Sequence, residues 1–421
     1  MRPLPPIPEW VTLEHQVAHI LTKQEIHGWY FDETAAWELE SALRRELENT
    51  TKLLRDKFPY VAGALFTPKR NNRTQGYVNG AEFQRLKEFN PTSRDHIAWI
   101  LQTHCGWTPS LMTLKSNKPI IDEPVLKDIG TDIALHFLRV LELTKALGMI
   151  SEGVNAWQKL VTTSSRIHHH CSVATNTHRC SHRKPNLSQV PSDERFRRLF
   201  TATPGLTMCG ADLMGIELRM LAHYLARYDD GRYANVLITG DVHQENADKI
   251  GISRKLVKTV TYAFLYGAGD IKIGHSYDNT FTESKAKAKG KEIRKAYVEA
   301  IPGLKQLLKG IKLAAERGYV RALDGRHLHV NSRHIALNYL LQGSAAIIAK
   351  RWMVLVHERL PPDTNQLAFI HDELQYETKE ENVNDLKFTL EYSAARAGEY
   401  YKLRIPIEAE SKSGRTWADV H

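Results

Sequence analysis

The sequence predicts an α+β multi-domain protein in which a mixed sheet is interrupted by a long helical insertion. Three observations indicate this class. Residues 13–58 are helical in pattern almost throughout. The short strand LTMCGADL then runs directly into the helical segment ELRMLAHYLARY. Towards the carboxyl end, LAFIHDELQYET has the alternation of a β-hairpin and follows a long apolar helix.

The remaining segments connect these elements in order. Residues 59–92 are loop-like and locally basic, and helices are expected from SRDHIAWILQTHCG to about residue 165. After the strand, helical segments continue to about residue 318. A helix from Ile335 to about Glu358 precedes the hairpin, and a further helix and the short tail SKSGRTWADVH follow it.

Composition excludes several classes of protein. With 421 residues, 42% hydrophobic and 25% charged, the chain has the profile of a globular protein of two or three domains. No apolar run approaches the ~20 residues that cross a bilayer, so we expect no membrane partner and a cytoplasmic location. Four irregularly spaced cysteines indicate a reducing environment. A net charge of +9 favours a polyanionic partner.

The segment RKLVKTVTYAFLYG places four polar side chains on one face of a predicted helix. At about 100° per residue, positions four apart lie within roughly 120° of one another. These positions are Arg254, Lys258, Tyr262 and Tyr266. Cations in the first turns oppose the helix dipole, so a docked polyphosphate would explain them. A solvated basic face is the simpler alternative.

Acidic residues stand where two predicted strands end. Asp212 follows an apolar strand, and His371, Asp372 and Glu373 form the tip of the hairpin. This tip departs from the usual Asn-Gly or Asp-Gly turn, although either segment alone also fits an ordinary polar turn. Two such aspartates can share Mg²⁺, which leaves positions for water and phosphate. With the cationic helix they predict nucleotidyl transfer by a pair of metal ions.

These three segments resemble motifs A, B and C of the family A DNA polymerases, the class of bacterial DNA polymerase I. DLMGIELR is similar to motif A, R-x₃-K-x₃-Y-x₃-YG to motif B, and HDE to motif C. Further similar segments are THRCSHRKPNLSQVP, RFRRLF, ALDGRHLHV, ALNYLLQGSAA and FNPTSRDHIAWILQTHCGWTP. GAGDIKIG and the terminal WADVH resemble the short-tailed phage replicative branch. The likeness covers roughly residues 13–421.

The resemblance implies a right-hand polymerase with a helical thumb, an antiparallel-sheet palm and helical fingers. The implied boundaries are 1–165 for the thumb and N-terminal helices, 166–230 and 332–421 for the palm, and 231–331 for the fingers. The implied activity is template-directed addition of dNTPs to a primer 3′ end, in the host's bacterial cytoplasm if the source is viral. Two Mg²⁺, which Mn²⁺ can replace, would be held by Asp212, the Leu213 carbonyl and Asp372, with Glu373 as a further catalytic residue nearby.

The resemblance also implies how the nucleotide binds. Its phosphates would contact His243, Arg254 and Lys258, and Lys258 would protonate the leaving pyrophosphate. Glu217, beneath the sugar, would hydrogen-bond Tyr262 and exclude a 2′-hydroxyl. The Tyr262 phenol can stand in for a missing 3′-hydroxyl, so we expect dideoxynucleotides to be accepted almost as readily as normal ones.

Primer–template contacts are implied at a further set of positions. On the minor-groove side they are Arg179, Asn338, Gln342 and His371. Along the backbone they are Asn186, Gln189 and Arg198, and Tyr266 would stack near the templating base.

Two departures from the family pattern concern partners. Relatives carry a 3′–5′ exonuclease domain or its remnant before the thumb, whereas about a dozen residues precede the resemblance here, too few for a nuclease fold. We therefore expect no proofreading by this chain and editing by a separate polypeptide. The phage relatives bind thioredoxin through a long basic thumb insertion, and the matching region, near 59–92, is much shorter. Thioredoxin dependence is therefore doubtful, and processivity would need another partner.

The segment RIHHHCSVATNTHRCSH is rich in residues that bind zinc. They are His168, His169, His170, Cys171, His178, Cys180 and His182. Their spacing matches no standard zinc finger, and the T-x-R match lies in the same segment. A β-ribbon and loop lying along DNA is therefore favoured over a zinc site.

Other functional hypotheses stay open at this point. Single-subunit RNA polymerases and reverse transcriptases have similar motifs A and C, but Glu217 paired with Tyr262 argues for deoxyribose. A catalytically inactive primer–template binding protein would not need Asp212 and Asp372. A metal-dependent phosphohydrolase would not need motif B.

Overall fold

The computed structural model describes residues 6–109, 111–113 and 115–421. The helices, in chain order, are α1 (Glu9–His27), α2 (Glu33–Lys57), α3 (Arg94–His104), α4 (Glu123–Ile129), α5 (Asp132–Leu147), α6 (Trp157–Leu160), α7 (Glu194–Arg197), α8 (Ile216–Leu225), α9 (Arg232–Thr239), α10 (Val242–Ile250), α11 (Arg254–Leu265), α12 (Asp270–Tyr277), α13 (Glu283–Ala300), α14 (Leu304–Ala315), α15 (Ala336–His357) and α16 (Val383–Tyr400). The strands are β1 (Trp29–Phe31), β2 (Tyr60–Phe66), β3 (Phe83–Glu88), β4 (Arg166–Ile167), β5 (His170–Ser172), β6 (Ser181–Arg183), β7 (Phe200–Thr201), β8 (Thr207–Leu213), β9 (Tyr319–Arg321), β10 (His327–His329), β11 (Asn365–Ile370), β12 (Glu373–Thr378) and β13 (Ala409–Gly414).

The chain divides into two compact units. One unit is Thr34–Lys159, and the other joins the segment ending at Glu33 to Leu160–His421. Mixed helix and small antiparallel sheets confirm the predicted α+β class. Helix α1 falls in the same unit as β8 and β12. The boundaries of thumb, palm and fingers stay a prediction.

The central sheet has the strand order β11-β12-β8-β13, and every neighbouring pair is antiparallel. Helix α16 packs on β8 and β13, and α1 packs on β11. All six residues of β12 are buried, as expected for a central strand covered on both faces. Gly210 in β8 is needed for close approach, because a Cβ there would lie 2.5 Å from the Gln375 side chain. Helices α1 and α16 thus cover the central sheet.

Helix α15 is buried around nearly its whole circumference, as its apolar sequence predicts. Its Lys350 is 1% exposed and is paired with Glu14 of α1, with Nζ–O distances of 2.7 and 2.8 Å. A buried ammonium requires such a partner. This ion pair fixes α1 against the helix that precedes the hairpin.

Two segments expected as irregular structure are strands. Residues 59–92 were predicted to be loop-like, but β2 and β3 form a hairpin in the Thr34–Lys159 unit, with Tyr60 opposite Glu88 and Phe66 opposite Phe83. The long connection between β2 and β3 lacks the two-residue turn by which a hairpin is recognised in a sequence. The tail segment AESKSG forms β13 because its backbone pairs with β8, although its residues are poor strand formers.

Among the helices of the described ranges, none is long and apolar enough to cross a membrane.

Candidate active site

The two predicted metal-binding aspartates lie at the same edge of the central sheet. Asp212 is the penultimate residue of β8 and stands opposite Glu373, the first residue of β12. The Leu213 amide donates a hydrogen bond to the Asp372 carbonyl at 3.0 Å. The pairing of two rigid strands therefore brings Asp212 and Asp372 side by side, although 160 residues separate them in the chain.

The turn that carries Asp372 is strained. Only His371 and Asp372 connect the paired residues Ile370 and Glu373. His371 adopts a φ of 60°, which two-residue hairpin turns require and which non-glycine residues rarely adopt. Strain of this kind persists where the surrounding structure enforces it, frequently at functional sites. Here the result is an aspartate presented at the tip of a buried hairpin.

The acids at this edge are short of compensating positive charge. Desolvation, and then the charges of Asp372, Glu373 and Glu217, raise the pKa of Asp212 to about 7. Burial, and then Glu217, raise the pKa of Asp372 to about 6, although Arg179 opposes the shift. Crowded carboxylates with raised pKa values are typical of catalytic and cation-binding sites.

Glu373 is adjacent to Asp372 in sequence, but its carboxylate is hydrogen-bonded to residues outside the group of acids. Glu373 is the first residue of β12 and is 6% exposed. Its carboxylate accepts hydrogen bonds from Trp417 Nε1 at 2.6 Å and from Gln375 Nε2 at 2.5 Å. Its second oxygen lies 3.2 Å from Nδ1 of His421. These contacts couple the catalytic hairpin to the tail, a long-range link with no local sequence signal.

Glu217 occupies the first turn of α8, close to these acids. Its carboxylate accepts hydrogen bonds from Arg179 at 2.5 Å and from the Tyr266 hydroxyl at 3.3 Å. The sequence had suggested Tyr262 as its phenol partner, and the structure places Tyr266 there instead. The two rings are stacked with centroids 6.4 Å apart, one helical turn from each other. Neighbouring phenols on one face could not be told apart from spacing alone.

Helix α11 has the predicted amphipathic form. Ser253 caps it by accepting a hydrogen bond from the Leu256 amide at 3.3 Å. Val257 and Val260 are fully buried, whereas Arg254 and Lys258 are exposed. Burial, followed by the charges of Glu217 and Asp372, raises the pKa of Tyr262, so the polar face of this helix is turned towards the acids.

The cationic end of α11 lies beside α10. The Arg254 guanidinium donates to Asp241 at 2.6 Å, and both side chains are largely exposed. His243 is buried, with its ring 6.2 Å from that of Tyr262. Burial lowers the pKa of His243, and Arg254 and Lys258 lower it further against the opposing effect of Asp241. The structure thus brings His243, Arg254 and Lys258 together, and their contact with phosphates stays a prediction.

The predicted DNA-contact residues fall into two groups. Arg179, Asn338 and His371 lie next to the acids or to α11: Asn338 donates to the Leu265 carbonyl at 3.1 Å, and His371 is exposed at the hairpin tip. Gln342 follows Asn338 by four residues on the same helical face. The second group bonds within its own segments: Asn186 accepts from Ser188, Arg198 pairs with Glu194, and Gln189 is exposed.

Comparisons with known proteins identify the family. The family description "DNA polymerase family A" matches residues 69–419. The chain is 33% identical to the DNA-directed DNA polymerase of Enterobacteria phage T3 and 32% identical to that of Escherichia phage T7. In each case the match covers 98% of this chain and 70% of the relative.

A solved structure has the same fold. It is the POL domain of Pol1 from M. smegmatis in complex with DNA primer-template and dNTP. The TM-score is 0.78 at 21% identity, over 96% of this chain and 70% of that one. Since the family match spans most of the sequence and the phage relatives match nearly all of it, the chain belongs to DNA polymerase family A, close to the phage branch.

Proposed function

We propose that this chain is a template-directed DNA polymerase that adds dNTPs to the 3′ end of a primer. The observation that carries the proposal is the pairing of β8 with β12, which brings Asp212 close to Asp372. Family membership and the names of the T3 and T7 relatives support the same activity. The primer-template and dNTP in the solved relative support DNA and dNTPs as partners.

The donors at the sheet edge fit Mg²⁺. Two carboxylates and the Leu213 carbonyl are hard oxygen ligands of the kind this cation prefers. The raised pKa values of Asp212 and Asp372 indicate that a nearby cation would stabilise their charged forms. We assign these three residues to two Mg²⁺, with Mn²⁺ as a substitute. When bound, the ions would activate the primer hydroxyl and stabilise charge on the leaving pyrophosphate.

Glu373 is better suited to positioning than to binding the ions. Its carboxylate is occupied by Trp417, Gln375 and His421. Through these bonds it holds the start of β12, and therefore the Asp372 backbone, in place. We propose that it acts on the chemistry through Asp372.

The α11 face would bind the nucleotide. Arg254 would release Asp241 and contact the phosphates together with His243. Lys258, whose ammonium is exposed on the same face, would also protonate the pyrophosphate. Fixed cations at the place where charge develops are usually the largest catalytic contribution. Tyr262 would lie under the sugar and supply a hydroxyl that dideoxynucleotides lack.

Selection of the sugar would fall to Glu217. Arg179 and Tyr266 hold its carboxylate in a fixed position. A 2′-hydroxyl on the nucleotide would clash with this carboxylate. The minor-groove side would be contacted by Arg179, Asn338, Gln342 and His371, the templating base by Tyr266, and the backbone by Asn186, Gln189 and Arg198. The absence of proofreading, the separate exonuclease or processivity partner, and independence of thioredoxin stay predictions.

Primer extension tests the proposal. A primed DNA template should be extended with dNTPs and Mg²⁺, Asp372→Ala should abolish extension, and the exposed Glu381→Ala should not. Preferential use of ribonucleotides would favour an RNA polymerase, and extension on an RNA template a reverse transcriptase. Tight primer–template binding by wild type without extension would favour an inactive binding protein.

A further inference from the structure

The β5–β6 ribbon brings three potential metal ligands together. Cys171 stands directly opposite His182 in this antiparallel pair, and His169 lies immediately before β5. One ligand atom from each of the three residues lies within 4.8 Å of the others. Sequence spacing could not predict the cluster, because the two strands that supply it are joined by a loop. The predicted ribbon is thus present, and it gathers ligands on one face.

The distances within the cluster suit a tetrahedral ion. Cys171 Sγ lies 3.2 Å from His182 Nδ1. On the neighbouring helix α1, Gln24 Nε2 lies 3.0 Å from His169 Nε2 and 3.5 Å from Cys171 Sγ. With Zn–N bonds of about 2.0–2.1 Å and Zn–S bonds of about 2.3 Å, adjacent ligand atoms are roughly 3.3–3.8 Å apart. Small shifts would therefore close the site around an ion.

The imidazoles of the cluster are buried with part of their hydrogen-bonding capacity unused. His169 is 0% exposed and His182 is 7% exposed. Nδ1 of His169 and Nε2 of His182 have no hydrogen-bond partner among the described residues. The two rings are therefore shielded from solvent.

We propose that His169, Cys171 and His182 bind a structural zinc ion. Two imidazoles and one thiolate are a borderline-soft donor set that favours Zn²⁺ over Mg²⁺, so this site differs in kind from the carboxylate edge. Binding would release the Cys171 thiol proton to solvent.

The fourth position of the site faces the Gln24 side chain. Its amide nitrogen now donates to His169 and Cys171, while its oxygen accepts from Gln366 at 2.8 Å. If the Gln24 and Gln366 amides turn over together, the Gln24 oxygen faces the ion and its nitrogen donates to Gln366. The Tyr376 hydroxyl, which now donates to Gln366 at 2.8 Å, would then accept from the Gln366 nitrogen. The zinc would then be bound by four protein groups, as structural sites are.

The ion would fasten the ribbon to α1 beside the active site. Arg179, the partner of Glu217, lies in the loop between β5 and β6. The His182 ring lies 6.3 Å from that of His371, in the turn before Asp372. Fixing the ribbon therefore fixes Arg179. This role rests on the proposed polymerase function, whereas zinc binding itself does not.

Metal analysis of the purified, desalted protein tests the proposal. We expect about one zinc per chain, and near-complete loss of it in His169→Ala and in Cys171→Ser. His170→Ala is the matched control from the same ribbon, since this residue bonds Glu25 instead, and Cys180→Ser controls for a neighbouring buried thiol. Both controls should retain the metal. Asp372→Ala should also retain it, which would exclude the carboxylate edge as the place of binding.

Cobalt substitution provides a second readout if a variant fails to fold. Wild type loaded with Co²⁺ should show visible d–d bands and a thiolate-to-cobalt charge-transfer band. The proposal is overturned if wild type incubated with excess Zn²⁺ and desalted holds none, or if Cys171→Ser and His169→Ala keep as much as wild type. Neither outcome depends on polymerase activity, so failure of the zinc site and failure of the proposed function are distinguishable.

Discussion

The Tyr266 hydroxyl donates a hydrogen bond to the Glu217 carboxylate at 3.3 Å, which joins the carboxyl end of α11 to the first turn of α8. Arg179 binds the same oxygen atom at 2.5 Å. Glu217 is thus held from two sides, and the proposed function puts the sugar of an incoming nucleotide against it. This relationship leads directly to the expected basis of sugar selection.

Replacing Glu217 by alanine should relax discrimination against ribonucleotides. Removal of the fixed carboxylate leaves space for a 2′-hydroxyl, so the ratio of kcat/KM for dNTP over rNTP should fall by about 10²-fold. Steady-state single-nucleotide incorporation measures this ratio. Glu299→Ala, on the exposed face of α13, is the matched control. An unchanged ratio in Glu217→Ala would remove this residue from sugar selection.

Tyr262→Phe should increase discrimination against dideoxynucleotides. Without the phenol hydroxyl, the variant has no group to replace a missing 3′-hydroxyl, and rejection should rise by about 10²–10³-fold, as when one hydrogen-bond donor to a transition state is removed. Competition between ddNTP and dNTP in primer extension gives the value. Tyr277→Phe, an exposed tyrosine of α12, should behave as wild type. Equal, strong discrimination by wild type and Tyr262→Phe would refute the assignment.

Lys258→Ala should slow nucleotide addition far more than Lys255→Ala. Both lysines are exposed on α11, but only Lys258 shares the face of Arg254 and Tyr262. Loss of a cation aimed at developing charge costs about 10²–10³-fold in kcat, and pre-steady-state incorporation measures it. A decrease in kcat of similar size in both variants would indicate a general electrostatic effect rather than a specific contact.

Asp212→Asn should stabilise the metal-free protein while abolishing extension. The folded-state pKa of Asp212 is raised to about 7. Between its ordinary value near 4 and about 7, the folded state binds more protons than the unfolded state, so stability falls as pH rises through this window. Asn at this position carries no ionisable carboxyl, so the variant does not lose stability in this window. Its Tm advantage should be small at about pH 4 and larger at about pH 8.

Magnesium provides the control for this stability effect. Added Mg²⁺ should raise the Tm of wild type more than that of Asp212→Asn, because the ion stabilises the charged carboxylate. A Tm difference that is independent of pH would show that the Asp212 carboxyl is not electrostatically strained.

The sequence predicted the elements whose signals are local. The strand ending at Asp212, the α11 helix from Arg254 and the hairpin carrying Asp372 were all predictable from periodicity and turn residues, and β8, α11 and β11–β12 confirm them. Their mutual placement was inferred from the chemistry that the three segments share and from the resemblance, because strand pairing across 160 residues leaves no periodic trace.

What the sequence missed depends on long-range contact. The strand Ala409–Gly414 forms through backbone pairing with β8, which its polar residues do not signal. The bond from Trp417 to Glu373 and the choice of Tyr266 over Tyr262 as the partner of Glu217 likewise depend on how distant segments pack. Side-chain partners of this kind are set by tertiary structure and not by propensity.

The most direct test of the account is a crystal structure with primer-template, a non-hydrolysable dNTP and Mn²⁺, in which anomalous scattering locates the metal. We predict two peaks at the edge of β8 and β12, with oxygens of both Asp212 and Asp372 as ligands and the phosphates between them and Arg254 and Lys258. Metal bound by only one of the two aspartates, or a triphosphate seated away from α11, would contradict it.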